Sequence, residues 1–439
     1  MRTKGRRARW AVALMAAVLG STGVWTTTLG AGAGYEVWLV DQSNSRPDGG
    51  GTLYIYAGAA VSGSGRSASP EVLDLGGAAH DLCLAQTGSA PVRPHMLEFD
   101  PGHDYAIVAY VGTGHVLFIE AATREPVTCI DVGLQAHAAF PAPDGSYVVV
   151  ANQNGKKLQR IASDFATGAF TLDASADLDL AAGVTPSGAP REDPTLRPDN
   201  APICPIVSDD SRLTFVTLRG GGLFVVDSRA TPMAIVAEYD RSTVGPNGCG
   251  GLESDGTMYI TSGGGTAATP YASDLYACDL SAYSPPAANL PNEPAPDVIW
   301  ETVQPTVADA HGAVLTRDDR YLWVADRAQN KATVVETATD AVVGEVPLTG
   351  RASADPAPDL LDISPEGHRI FAALRGPRPL TGNAPAVGNA VGSTPGLAII
   401  RVTEGGRSGA LQAVIPVSRI VSGNEVADPH AIKVRVLGG

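Results

Sequence analysis

Residues 315–348 read LTRDDRYLWVADRAQNKATVVETATDAVVGEVPL. Their alternation of short apolar runs with polar turns decides the fold. Tyr321–Ala325 is aromatic and branched, Asp326–Lys331 is a polar turn, and Ala332–Thr337 is a second apolar run. A second turn, Ala338–Asp340, leads to a third run that ends at Val346. Runs of this length, broken by Asp, Asn and Gly, are strands joined by tight turns. Just upstream, Ala308–Leu315 reads as a fourth strand. Four strands in roughly forty residues make one blade of a β-propeller.

Aligned on the Tyr321 strand, the chain yields seven such units. The first is Val37–Asp41, Thr52–Tyr56 and Glu71–Leu75, and it lacks an inner strand. The second runs from His95 through Tyr105–Tyr110, His115–Glu120 and Val127–Val132. The third starts at His137, with Tyr147–Ala151, Leu158–Ile161 and Phe170–Leu172. The fourth is Ile203–Val207, Leu213–Leu218, Gly222–Asp227 and Ala234–Tyr239; the fifth is Cys249–Glu253, Met258–Thr261 and Leu275–Asp279. The sixth is the opening stretch. The seventh is Asp359–Ile363, Ile370–Leu374, Leu397–Val402 and Ala413–Val417. The C-terminal Asp428–Val436 has an inner-strand sequence and supplies the piece the first unit lacks. The expected fold is therefore all-β, a seven-bladed propeller closed by pairing of the N- and C-terminal strands, which leaves no open sheet edge. Two Pro/Gly-rich insertions, Ala181–Asn200 and Gly376–Pro395, interrupt the blades.

The stretch VADRAQNKATVVETATDAVVGEV, residues 324–346, resembles the YVTN-type β-propeller repeat. The resemblance covers most of the chain after the N-terminus, is strongest in units two, three and six, and implies the fold while leaving function open. Composition agrees with it. With 44% hydrophobic residues the chain can bury a large core, and 50 glycines and 33 prolines supply the many turns.

Residues 1–33 read as an export signal, followed by the propeller at 34–439. Arg2, Lys4, Arg6, Arg7 and Arg9 precede an apolar core from Ala11 to Val24, and Ala31-Gly32-Ala33 fits a cleavage site. An uncleaved membrane anchor is the alternative, and Arg6-Arg7 hints at the twin-arginine route. Beyond it no membrane span is expected. Loss of those five basic residues takes the formal charge from −15 to about −20. So acidic a body disfavours nucleic acid and anionic lipid. Five cysteines suit an oxidising, secreted or periplasmic location. A monomer is expected.

The candidate site comes from the repeat alignment. The position of His137 is occupied by His95 in blade two, His311 in blade six, His430 in blade one and Asp359 in blade seven. These five sit on contiguous blades at the start of the innermost strands and point at one small volume. Imidazole and carboxylate together suit copper or zinc. In the alternative, the histidines are hydrogen-bonded polar plugs. Asp309 and Asp428, two residues before ring histidines, are candidates to orient them. His80, His103, His115 and His368 read as surface residues.

A second ring follows the second strand of each blade: Gln42, Val111, Gln153, Arg219, Gly264, Arg327 and Arg375. Arg219, Arg327 and Arg375, with Gln42, Gln153 and Asn152, are candidates for holding a small anionic substrate. Pairing of each Arg with a neighbouring Asp is the structural alternative. Asn154 adds hydrogen-bonding capacity at the same rim. Cys204 and Cys249, each one residue past the ring position on neighbouring blades, are expected to form a disulfide, with free thiols at a metal site as the alternative. Cys83 with Cys129 is a second expected pair, leaving Cys278 over.

No phosphate loop, HExxH motif or serine-hydrolase elbow is present. Propellers with histidine-lined hubs include the nitrous oxide reductase hub domain, periplasmic zinc chaperones and the selenium-binding/methanethiol oxidase group. The chain is similar to these in architecture and hub histidines, but it has no cupredoxin domain and no His-rich tail. The leading expectation is a secreted metalloprotein acting on a small anionic substrate. The alternatives are a non-catalytic protein- or glycan-binding propeller with structural hub histidines, and a lyase or lactonase using a ring His as acid or base.

Overall fold

Seven antiparallel sheets form the ring in the computed structural model, which describes residues 34–439 apart from 64, 66, 267–268, 304–305, 381–389 and 439. The expected leader lies outside the described residues. Blade one pairs the C-terminal strand Pro429–Val436 with Tyr35–Asp41, and Thr52–Ala57 and Glu71–Asp74 complete it. The register runs from Tyr35 opposite Val436 to Asp41 opposite Pro429, so both ends of the chain close one sheet. The other inner strands are Pro94–Phe99, Ala136–Pro141, Pro202–Val207, Gly251–Ser254, Ala310–Leu315 and Pro358–Ile363, for blades two to seven in turn. Among the described residues, no helix is long and apolar enough to cross a membrane.

Blade packing explains why the second strands are the legible ones. Tyr147–Asn152, Leu213–Leu218 and Tyr321–Asp326 are buried at every position, since each is covered by a neighbouring blade on both faces. Strands buried on both faces read as unbroken apolar runs. Outer strands such as Ala341–Pro347 are half-exposed and fade into turn sequence.

Three expectations need correction. Blade five has a fourth strand, Asp297–Trp300, and its central hairpin spans Thr257–Asp279, longer than the pattern suggested. A ten-residue helix, Ala78–Thr87, ends on the left-handed Gly88 and packs on the outer strand of blade two through the Cys83–Cys129 disulfide. Its short, weakly patterned sequence hid it. The helix also changes the account of two histidines. His80 is buried between Asp48 and Asp81, at 3.3 and 3.2 Å. His115 is buried against Thr87, Ser89 and Thr113. His103 is half-buried and only His368 is exposed.

The second disulfide, Cys204–Cys249, joins blades four and five beside the axis, and Cys278 is a buried free thiol.

Candidate metal centre at the propeller hub

One backbone bond repeats in all seven blades and fixes the layers of the hub. At or just past the end of each second strand (within it in blade five), one residue donates its N–H to the carbonyl two residues before the ring position. The donors are Gln42, Val111, Gln153, Arg219, Gly263, Arg327 and Arg375, and the acceptors Asp428, Arg93, Gln135, Ala201, Pro246, Asp309 and Ala357. The blade-five member is Gly263, one residue before the expected Gly264.

Next to this bond the inner strands bulge. The register slips around His95, His137, Ile203-Cys204, His311-Gly312, Asp359-Leu360 and His430-Ala431. A bulge leaves one residue out of the ladder and re-aims its side chain. Here it turns the ring residues toward the axis. Gly312 allows blades six and seven to meet at this level: a Cβ there would lie 2.3 Å from the Asp359 carbonyl oxygen.

The four imidazoles form one contiguous row. His311 and His430 meet edge to face at 5.3 Å, His430 stacks on His95 at 3.6 Å, and His95 meets His137 at 4.7 Å. All are under a tenth exposed. Three of the five expected ligands come within coordinating reach of one another: candidate ligand atoms of His311, Asp359 and His430 all lie within 4.8 Å. His95 and His137 extend the row and stand outside that group.

Hydrogen bonds assign the tautomers. Gln42 Nε2 donates to Asp428 at 2.8 Å, so its Oε1 is the atom that faces His95 Nδ1 at 3.0 Å. An amide oxygen only accepts, hence His95 carries its proton on Nδ1. His430 Nδ1 faces the His95 carbonyl oxygen at 3.1 Å and must also be protonated. The Nε2 atoms of both rings are then lone pairs when the rings are neutral. That of His430 points at Asp359 Oδ2, 3.7 Å away, and His311 Nε2 lies 3.4 Å from Asp359 Oδ1. Both ring nitrogens of His311, Nε2 of His95 and Nδ1 of His137 lack a hydrogen-bond partner among the described residues.

Burial pushes the pKa of His95, His311 and His430 well down, with Arg375 adding to it in each case. Burial also takes His137 down to about 4. The imidazoles are therefore neutral at pH 7. Burial alone would raise Asp359, but the Arg327 and Arg375 guanidiniums beside it hold it below the usual carboxylate range.

A neutral buried imidazole holds fewer protons in the folded than in the unfolded state below the ordinary 6.5, so the hub loses stability as pH falls from 6.5 toward 4. Asp41 and Asp309, raised by burial to about 6 and about 7, act in the opposite sense. His137→Asn removes one of the four imidazoles. In urea unfolding of chelator-treated protein, this variant should lose less stability than the parent across that window. Equal losses would contradict a buried neutral His137.

The arginine ring is placed differently from its expected role. Arg375, 1% exposed, donates to both oxygens of Asp428 at 2.7 and 2.8 Å and to Asp359 at 2.7 Å. Its remaining bond, at 2.7 Å, goes to the Leu380 carbonyl of the Gly376–Pro395 insertion. Arg327 bridges Asp309 at 2.7 Å and Asp359 at 3.3 Å. Their forks are filled by carboxylates and are not open to an anionic ligand. Arg219 pairs with Asp199 and keeps 30% of its side chain exposed. Gln42 is wholly buried as the orienter of His95, and Gln153 is 5% exposed.

Asn152 is likewise engaged within its own blade, its Nδ2 bonded to the Val132 carbonyl and to Gln159. Its Oδ1 accepts from Gln135 N at 3.3 Å, as Asp41 does from Asp428 N and Asp326 from Asp309 N. It fills the same structural place in its own blade. Asp428 reaches the ring through Gln42, which bonds both it and His95, and Asp309 holds Arg327, which also meets Asp359.

No protein-family model and no curated protein matches the chain. Solved structures match its fold. A protein from Lactobacillus plantarum aligns with TM-score 0.58 at 12% identity, covering 91% of this chain and 99% of the other. The periplasmic gluconolactonase of Pseudomonas aeruginosa gives TM-score 0.55 at 15% identity, with 92% and 100% covered. A putative 6-phosphogluconolactonase from Bacteroides fragilis gives 0.55 at 13%, with 91% and 98% covered. At such identities the likeness shows the propeller architecture alone.

Proposed function

We propose that this chain is an extracytoplasmic metalloprotein whose propeller hub holds one copper or zinc ion on His311, Asp359 and His430. The observation that carries the reading is the confrontation of acceptors. The His430 Nε2 lone pair and the Asp359 carboxylate face each other in a buried site, an arrangement that a cation between them would stabilise. The donor set, two imidazoles and one carboxylate, suits a late first-row divalent ion with positions left open. Ligands around a tetrahedral zinc lie roughly 3.4 Å apart, so modest side-chain shifts from the present spacing complete the site. The two disulfides support an oxidising location.

A bound ion would supply Lewis acidity or redox chemistry at the hub. The chain's own contribution is orientation. Gln42 holds His95 with its Nε2 as an acceptor, ready to receive a hydrogen bond from a water or substrate beside the ligands. Filled arginine forks favour a neutral substrate over the anionic one expected from sequence, and two fold neighbours bear lactonase names. Opening of a small lactone is therefore the first reaction to assay. In the non-catalytic alternative the hub histidines bond one another and channel water, and metal uptake separates it from the present reading.

Titration of chelator-treated, untagged protein with zinc or copper against a chromophoric competitor tests the reading. Uptake of one equivalent is expected. Protein that stays folded and takes up none would overturn it.

A further inference from the structure

Beyond the hub, the seven inner strands run to the opposite face and enclose a second cavity of about 230 Å3. Met96, Cys249 and Leu360, each one residue past the ring, form its floor. None of the hub imidazoles lines it. Glu98, Phe140, Ile206 and Lys433 lie three residues past the ring, about 10 Å along at roughly 3.3 Å per residue. Glu253 and Asp209 form the outer rim. The cavity is therefore an axial well, apolar at its base and charged at its mouth, entered from the face away from the arginine layer.

The charges at the mouth do not balance. Glu98 is matched by Lys433 at 2.8 Å. On the blades opposite, Glu253 accepts only the Asp209 backbone N–H, at 2.7 Å, and neither carboxylate has an ion pair among the described residues. Burial and the neighbouring Asp210 and Asp319 raise Asp209; burial and Asp209 raise Glu253. At this mouth Glu253 is half-buried and Asp209 exposed, and two carboxylates so placed beside an apolar base are stabilised by a cation that also brings hydrocarbon. The volume is below the roughly 300–1,000 Å3 of pockets for drug-sized ligands, so the occupant is small.

We propose that this well binds an alkylammonium group. Its hydrocarbon packs against Phe140, Ile206 and Leu360, while the ammonium pairs with Glu253 and Asp209. The group can belong to a free amine or to a lysine side chain of another protein. This inference is independent of the hub metal.

The test is calorimetric titration of the full chain with n-hexylamine, using n-hexanoate as the length-matched anion. Saturable binding of the amine is expected, at least tenfold tighter than hexanoate and at least tenfold weaker in a folded E253Q/D209N variant. Nα-acetyl-lysine methylamide separates the sources: binding like that of hexylamine supports a protein lysine, and weaker binding supports a free amine. Absence of saturable amine binding, equal binding of hexanoate, or an unchanged affinity in the variant would each overturn the proposal. A crystal of the unaltered protein with n-hexylamine gives a readout that needs no variant. Density between Phe140 and Leu360 is expected there, and density elsewhere contradicts the assignment.

Discussion

Arg375→Met is expected to destabilise the protein by about 3–5 kcal/mol, the usual cost of removing one partner from a buried ion-pair network. Arg375 is 1% exposed and joins Asp359 to Asp428 across the seam between blades seven and one. That seam lies beside the sheet that closes the ring. Methionine keeps much of the volume but leaves both carboxylates without their shared cation, and Arg327 reaches only Asp359. Lysine is no substitute, since one ammonium cannot span two carboxylates as the planar fork does. Domains of this kind have total stabilities of about 5–15 kcal/mol, so the variant should lie near its unfolding threshold. Protonation of the abandoned carboxylates relieves part of the penalty, so the loss measured by urea unfolding should be larger at pH 8 than at pH 5. A loss below about 1 kcal/mol would mean that the pairs are loose and solvated.

The second large effect concerns the ligands. His311→Ala and His430→Ala should each weaken zinc or copper binding at least a hundredfold in competition titrations. Each removes one of the three groups that converge. His95→Ala should cost less, about 10–100-fold, the range for residues that support ligands without ligating. His95 stacks on His430 and presents its carbonyl to His430 Nδ1, and the backbone bond survives the substitution. Equal losses at all three positions would add His95 to the ligand set. No loss at His311 would move the site elsewhere.

Much of this architecture was legible in the residues. The blade unit stands out at Tyr321–Ala325 because doubly covered strands are continuously apolar. Closure by Pro429–Val436 follows from an inner-strand phrase without a blade of its own. Repeat equivalence also brought His95, His137, His311, Asp359 and His430 to one level and paired Cys204 with Cys249. What repeat position does not carry is side-chain partnership. Arg327 and Arg375 occupy the same place as Arg219, yet they are engaged by Asp309, Asp359 and Asp428, while Arg219 meets Asp199 on a half-exposed rim. Asn152 reads as a hydrogen-bonding ligand until its equivalence to Asp41 and Asp326 is seen. The bulges that aim the ring residues have no residue signature of their own, because they arise from pairing between strands. The tautomers of His95 and His430 likewise depend on a glutamine amide and a carbonyl that converge only in the fold.

The most direct measurement for the central claim is a crystal structure of metal-loaded protein with anomalous data collected on both sides of the zinc and copper absorption edges. One peak is expected at the hub, within about 2.0–2.2 Å of His311, His430 and Asp359, with the Arg327 and Arg375 pairs retained. A hub without an anomalous peak, in protein that was loaded and remains folded, would contradict it.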